Sequence, residues 1–227
     1  MNGITLFSII ITLGAYLVSG IAARRYPSPW TTPVFFSTTI VIVVLVISGI
    51  SYEAYTPAKD IMTYLLGPAT VALAVPLYHN RAVLKERLLP AAAGLVLGTA
   101  STIVSAVLIA KFLNLSEDVA ASAGAKSVTT PVAIEAAKII GGDPALSAIF
   151  VMITGMFGAM FGPYVLSLMR VKDPFSRGLA IGTIAHGIGT AQAAAEGRLQ
   201  GAVSGAAMGF AAIITSFILP WLFPFLF

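Results

Sequence analysis

The stretch 126–135 contains the residue types that could bind a small anion. Pro131 lacks an amide hydrogen and favours the first turn of a helix, and Thr129 or Thr130 would be a suitable N-cap just before it. A helix that begins here presents unpaired N–H groups and positive partial charge. The threonine hydroxyls and the charge of Lys126 complete a set that suits a small carboxylate. The predicted substrate-binding residues are Lys126, Ser127, Thr129, Thr130 and Pro131.

The same stretch also has interpretations that need no ligand. Its hydroxyls could bond back to the preceding turn of a kinked helix, while Lys126 extends its ammonium group to the membrane surface. Glu135 and Lys138 lie three residues apart on one helix face and could neutralise each other. The functional alternative makes Glu135 a proton or cation partner. Polar residues at membrane depth are costly and are usually functional, which favours the binding role.

A second candidate stretch covers residues 182–192. Gly187 and Gly189 would break a helix and let a ligand approach the backbone, while Thr190 and Gln192 supply hydrogen-bonding groups. We assign these four residues to the substrate site. The proton equilibrium of His186 lies near neutral pH, so this residue could carry the proton of a proton-coupled carrier. The alternative is that His186 is a hydrogen-bonded packing residue.

A third stretch contains a predicted helix break at Pro68 and Thr70, which is equally compatible with a simple kink in a span over 61–78. The chain has no cysteine, and no spacing of histidine and acidic residues is typical of a metal site. No glycine-rich phosphate loop is present. We therefore predict no catalytic residue, no metal, no cofactor and no enzymatic activity.

The composition indicates which elements must position these residues. Hydrophobic residues make up 58% of the 227 residues and charged residues only 10%, against about 25% in a typical soluble domain. Apolar runs at 4–22, 34–51, 61–78, 88–110, 145–169 and 200–223 are each long enough to approach or span a bilayer. The sequence therefore predicts an all-α polytopic membrane protein of six to eight transmembrane segments, forming a single domain over residues 1–227.

The two polar stretches, 118–140 and 179–197, are predicted to be interrupted helices. Basic loops mark the cytoplasmic side of a membrane protein, and they are found here at 24–25, 81–87 and 170–177. All three loops are cytoplasmic only if 118–140 enters the membrane from outside and returns. Stretch 179–197 would then enter from inside. The alternative is a pair of fully crossing broken helices, which gives eight spans.

A weak internal repeat points to the same two stretches. Residues 125–130 resemble residues 185–190 at an offset of 60 positions, and residues 67–72 resemble residues 130–134. Inverted repeats with interrupted segments at matching positions are typical of the binding sites of secondary transporters.

The runs 66–78, 126–133 and 185–191 resemble the LrgB/CidB family, and the resemblance covers nearly the whole chain. It implies two different functions. Bacterial members were named as holin-like or antiholin-like partners of a smaller LrgA or CidA membrane protein, acting on murein hydrolase export and autolysis. Other relatives point to transport, because the plastidal glycolate/glycerate translocator contains an LrgB-like half and some bacterial pairs are linked to pyruvate uptake.

We favour a carrier, or carrier subunit, for small monocarboxylates of the glycolate, glycerate, lactate or pyruvate type. Transport by this carrier could be coupled to protons. The alternative is a holin-like or antiholin-like regulator. We expect a multi-pass protein of the inner (plasma) membrane whose partners are the lipid bilayer, a small carboxylate and an LrgA/CidA-type protein. The net charge of +4 is assigned to loops rather than to nucleic-acid binding. Glycine-rich helix faces are compatible with a homo-oligomer, although packing within one chain explains them equally.

Overall fold

The computed structural model describes residues 3–65, 68, 71, 72, 74–79 and 81–227, and every regular element in that part of the chain is helical. This confirms the all-α prediction. The helices are α1 (Gly3–Arg25), α2 (Pro33–Ile47), α3 (Tyr52–Tyr64), α4 (Ala74–His79), α5 (Arg81–Glu86), α6 (Leu88–Phe112), α7 (Glu117–Gly124), α8 (Thr130–Ile139), α9 (Pro144–Leu168), α10 (Pro174–Glu196) and α11 (Arg198–Leu226), with a 3₁₀ turn at Pro29–Thr31.

Four of these helices, α1, α6, α9 and α11, are long and apolar enough to cross a membrane. They contain 23, 25, 25 and 29 residues and match four of the predicted spans. Helix α2 is equally apolar but has only 15 residues. The chain is thus a polytopic membrane protein. It divides into two compact units, residues 1–72 and 73–227, so its prediction as a single domain stays a prediction.

The third predicted span, 61–78, is wrong at its start, and part of its remainder lies outside the described residues. Helix α3 begins earlier, because the side chain of Ser51 caps it by accepting a hydrogen bond from the amide of Ala54 at 3.3 Å. The helix ends at Tyr64. Of the predicted helix break, Thr70 lies outside the described residues, whereas Pro68 has helical backbone and an exposed side chain.

In the second unit, stretch 118–140 folds as a hairpin, which we call hairpin 1 (α7, a tip at 125–129 and α8). The Ser122 hydroxyl, in the last turn of α7, accepts a hydrogen bond from the amide of Asp143 at 2.8 Å, so the chain after α8 returns to lie beside α7. The tip reaches inward, where the ammonium group of Lys126 donates to the carbonyl of Thr102 at 3.2 Å. Thr102 is near the middle of α6. The chain therefore enters and returns at one end of the bundle, as predicted.

Helix α10 consists of two helical arms joined at His186. We call this second hairpin hairpin 2 and His186 its tip. The backbone of His186 has φ 41° and ψ −136°, and the chain reverses there. The two ends meet in an ion pair between Arg177 and Glu196 at 2.9 Å, which is largely buried. Arg177 also donates to the carbonyl of Pro163, close to the end of α9. Hairpin 1 has its base at the start of α9, so the two hairpins enter from opposite ends, as predicted.

Both arms of hairpin 2 pack against α11. A Cβ atom on Gly182, in the first arm, would lie 2.7 Å from the Cα atom of Ser204. In the second arm, the hydroxyl of Thr190 is 2.9 Å from the hydroxyl of the same Ser204. One residue of α11 thus contacts both arms at similar depth. This is possible only because the first arm has no side chain at Gly182.

The basic loops of this unit lie at one end of its bundle, which we call the basic end. Arg87, just before α6, forms an ion pair of 2.9 Å with Asp173, just before α10. Hydrogen bonds from Ser176, with further contributions from Arg87, hold the pKa of Asp173 below its usual range. At the opposite end, Lys111 donates to the carbonyl of Leu226 at 3.1 Å. The positive-inside rule predicts that the basic end is cytoplasmic.

We predict that Gly182→Ala destabilises the protein, whereas Gly209→Ala does not. The new methyl group at position 182 would collide with the backbone of Ser204, and overpacking of this kind costs about 1–3 kcal/mol. Gly209 has open space around its Cα atom, so alanine there should be neutral or slightly stabilising. Thermal unfolding in detergent micelles measures both. Equal melting temperatures for the two variants would contradict the packing described here.

The hairpin topology can be tested by cysteine labelling, since the natural chain contains no cysteine. Glu117→Cys and Lys138→Cys, at the two ends of hairpin 1, should react with an impermeant maleimide only from outside the cell. Lys172→Cys and Arg198→Cys, at the basic end, should react only from inside. All four positions are exposed. Opposite accessibility of positions 117 and 138 would show that hairpin 1 crosses the membrane.

Candidate functional site

The tips of the two hairpins lie at the same depth along α6. Lys126, in the tip of hairpin 1, contacts Thr102. One turn earlier, a Cβ atom on Gly98 would lie 3.1 Å from the Cγ2 atom of Thr183, which approaches the tip of hairpin 2. The helical repeat places Gly98 and Thr102 on the same face. The two tips therefore approach neighbouring turns of α6 from opposite ends.

Helix α9 shows the same convergence. The imidazole Nε2 of His186 lies 3.0 Å from the carbonyl oxygen of Val151. The side chain of Val151 belongs to the apolar cluster that contains Ala125 and Val128 from the tip of hairpin 1. Val151 thus contacts one tip through its backbone and shares a packed core with the other. The repeat offset of 60 residues predicted from the sequence aligns Lys126 with His186, the residues at the two tips.

The tip of hairpin 1 carries a half-buried cation. The ammonium group of Lys126 has two neighbours, the carbonyl of Thr102 at 3.2 Å and the hydroxyl of Ser127 at 3.5 Å. No carboxylate lies within ion-pair distance of it in the part of the chain that the structure describes. A buried ammonium group without a counter-charge is unfavourable, so this position favours an anion.

Helix α8 begins beside this cation, as the sequence predicts. Thr129 is the N-cap residue, but its side chain makes no capping hydrogen bond. Pro131 occupies the first turn and has no amide hydrogen to satisfy. Within the described ranges, the hydroxyl groups of Thr129 and Thr130 have no hydrogen-bond partner, although both side chains are partly buried. The helix start therefore leaves hydroxyl and amide donors free for a ligand.

Two residues that sequence reasoning missed lie close to this tip. Thr99 is 2% exposed and its hydroxyl has no hydrogen-bond partner among the described residues. Thr102 supplies the carbonyl that Lys126 contacts, and its own hydroxyl donates to the carbonyl of Thr99 at 2.8 Å. The signal in the sequence is the presence of polar residues in the middle of an otherwise apolar span, at Thr99, Ser101, Thr102 and Ser105.

The polar residues of hairpin 2 are engaged mainly in its own structure. The hydroxyl of Thr190 donates to the carbonyl of His186 at 2.8 Å and also contacts Ser204. Gly189 lies against Ile181 of the opposite arm, where a Cβ atom would come within 2.9 Å of Cγ2. Gly187 is exposed at the tip. Gln192 is partly buried but lies six residues further along the second arm, away from the tip.

The two residues proposed for ion coupling have different surroundings. His186 is 4% exposed and holds the tip of hairpin 2 against α9. Glu135 lies on the outer part of α8 and forms an ion pair of 2.7 Å with Lys138, in which both side chains are at least half exposed. This is the mutual neutralisation that the sequence offered as an alternative. An exposed pair of this kind contributes little to stability.

We expect two substitutions of His186 to separate its backbone and side-chain effects. A positive φ costs about 1–3 kcal/mol for a residue with a Cβ atom. His186→Gly loses the hydrogen bond to Val151 but relieves that strain, whereas His186→Ala loses the bond and keeps the strain. The thermal unfolding temperature in detergent should therefore be lower for His186→Ala than for His186→Gly. The reverse order would contradict the tip conformation.

Comparison with known proteins places this architecture in a family. The model of the LrgB-like family matches residues 12–225. Uncharacterized protein YxaC of Bacillus subtilis is 34% identical over 86% of this chain and 85% of its own length, and Uncharacterized protein YwbG of the same organism is 35% identical over 84% of each.

Holin-like protein CidB of Staphylococcus aureus is 30% identical over 83% of this chain and 82% of its own length. No solved structure matches. The family match spans both units, and the relatives align over most of their own length. The chain therefore belongs to the LrgB-like family of membrane proteins.

Proposed function

We propose that this protein is a secondary carrier, or the carrier subunit of a complex, for small monocarboxylates. The observation that carries the proposal is the half-buried ammonium group of Lys126, which lies at the tip of hairpin 1 without a carboxylate partner among the described residues. Charged groups at membrane depth are costly and typically mark substrate or ion pathways. A bound carboxylate would supply the missing counter-charge.

The start of α8 supports the same kind of ligand. Its uncapped N–H groups and the free hydroxyls of Thr129 and Thr130 lie three to four residues after Lys126. Donors at a helix start and a cation together favour a carboxylate over a neutral solute. Because one cation is present, one negative charge balances it, so a monocarboxylate fits better than a dicarboxylate. Glycolate, glycerate, lactate and pyruvate belong to this class.

The arrangement of the hairpins suits alternating access. Hairpin 1 enters from one end, hairpin 2 enters from the other, and both tips reach the same depth along α6 and α9. Interrupted segments of opposite orientation that meet near the midplane are the arrangement found in secondary transporters built from inverted repeats. Movement of hairpin 2 would open the site to the basic end, and movement of hairpin 1 would open it to the other end.

Coupling to protons belongs to this proposal. His186 is the titratable side chain of the second tip, and its backbone carbonyl and imidazole both contact neighbouring groups. A proton gained there would change those contacts at the moment when the tip must move. Glu135 is the other candidate, on the arm of hairpin 1. We further propose that the protein lies in the plasma membrane and acts with an LrgA/CidA-type partner.

The direct test is uptake of labelled glycolate, lactate and pyruvate into proteoliposomes under an imposed pH gradient, with and without the small partner. The wild-type protein should show saturable uptake. Lys126→Ala should reduce the kcat/KM of substrate uptake by about tenfold or more, because a hydrogen bond to a charged group contributes about 1.5–3 kcal/mol. Lys172→Ala is the control, since it removes an exposed lysine that lies outside both hairpins, and it should leave uptake unchanged.

Unchanged uptake by Lys126→Ala would contradict the assigned site. Absence of uptake in both preparations, with the protein shown to be folded, would contradict the carrier and favour the second candidate. That candidate is a pore-forming or pore-regulating protein, and it is supported by the similarity to Holin-like protein CidB. Release of a trapped dye larger than any metabolite from the same proteoliposomes would be its signature.

A further inference from the structure

An apolar groove runs from the basic end of residues 73–227 along α6, α10 and α11. Its volume is about 610 Å³, within the range of about 300–1,000 Å³ that is usual for sites of organic ligands. Helices α6, α10 and α11 form its walls, and the short helices α4 and α5 form its outer rim. The large side chains of the walls are all apolar: Leu88, Leu95, Phe175, Leu179, Phe210 and Ile214.

Two basic side chains stand at the rim of this groove. Arg81 and Lys85 lie four residues apart on α5, so they project from the same helix face. Arg81 lies over the ring of Tyr78, with 4.2 Å between its guanidinium carbon and the ring centroid. Neither basic residue has an acidic partner in the described residues, whereas the neighbouring Arg87 is paired with Asp173. The rim therefore offers two uncompensated positive charges.

We propose that this groove binds one anionic glycerophospholipid, with an acyl chain between α6, α10 and α11 and the phosphate group at Arg81 and Lys85. A free phosphate or a small carboxylate would leave the apolar walls uncovered, whereas a hydrocarbon chain would fill them. A neutral lipid would leave the two charges unmatched. Basic pockets between membrane helices on the cytoplasmic side recognise anionic lipid headgroups, and the groove lies at that end.

The position of the groove connects the lipid to hairpin 2. Phe175 and Leu179 belong to the first arm of that hairpin, and Leu95 belongs to the helix along which both tips are placed. An acyl chain in the groove would fill the space between this arm and α6. The bound lipid would thereby hold the first arm in the position seen in this structure, independently of what the hairpin tips bind.

The test is native mass spectrometry of the full-length protein in detergent, titrated with phosphatidylglycerol or with phosphatidylcholine of the same chain length. We expect one tightly bound phosphatidylglycerol per chain and weaker binding of phosphatidylcholine. Arg81→Gln with Lys85→Gln should weaken phosphatidylglycerol binding by about fivefold for each charge removed. Lys172→Gln with Arg198→Gln removes two basic residues of the same end outside the groove and should leave binding unchanged.

A second variant fills the groove without changing its charge. Ala92 lines the groove and has an exposed side chain, so Ala92→Phe should fold normally, as its melting temperature would show, and lose both lipids. Equal loss of phosphatidylglycerol binding in the Arg81/Lys85 and Lys172/Arg198 double variants would overturn the proposal. Displacement of the lipid by soluble glycerophosphoglycerol would overturn it as well, because it would show a headgroup site that does not use the groove. Retention of lipid by folded Ala92→Phe would do the same.

Discussion

The fold depends on the close approach of hairpin 2 to its neighbours, which glycine makes possible. Gly182 brings the first arm onto the backbone of Ser204, and Gly158 of α9 lies directly against Ala185. Gly155 leaves room for the ring of His186, whose Cε1 atom would lie 2.6 Å from a Cβ atom there. A hydrocarbon environment offers no hydrogen-bond partners to irregular backbone. The reversal at His186 is tolerated because protein surrounds it on these sides.

Hairpin 1 meets the same constraint by different means. Its tip packs into the apolar cluster of α6, α9 and α11 through Ala125 and Val128, and hydrogen bonds between Ser122 of α7 and Asp143 hold the chain after α8 against α7. The ammonium group of Lys126 in this tip donates to the carbonyl of Thr102. The two hairpins thus resemble each other in path and depth, but one ends in a cation with free donors and the other in a packed imidazole. This difference is the reason that we propose substrate binding at the first tip and a coupling role for the second.

Membership of the LrgB-like family does not choose between transport and pore regulation, because the three relatives compared above are named holin-like or uncharacterized. The geometry of the site adds an argument of a different kind. A protein that acted only through oligomeric pores would have no need for a half-buried ammonium group that lacks a carboxylate partner among the described residues. The groove at the basic end adds a separate surface, whose chemistry matches the membrane lipids rather than the proposed substrate.

The sequence by itself determined the class of the fold and the two places where it is irregular. Composition and apolar runs are sufficient to predict membrane helices, since burial in lipid requires long apolar segments. The distribution of basic residues predicted that 118–140 and 179–197 would be hairpins from opposite ends, because one side of the membrane retains the positive loops. The N-cap at Thr129 and the first-turn proline at Pro131 were likewise readable, since both are local backbone preferences.

Only the tertiary structure decided which polar residues are free. Thr190 and Lys126 are both single polar residues near a helix break in the sequence, yet Thr190 is bonded to His186 and Ser204 while Lys126 has no counter-charge among the described residues. The pairing of Arg177 with Glu196 and the buried hydroxyl of Thr99 also depend on how distant segments meet. Such contacts are set by the packing of several helices at once, and no local pattern of residue types encodes them.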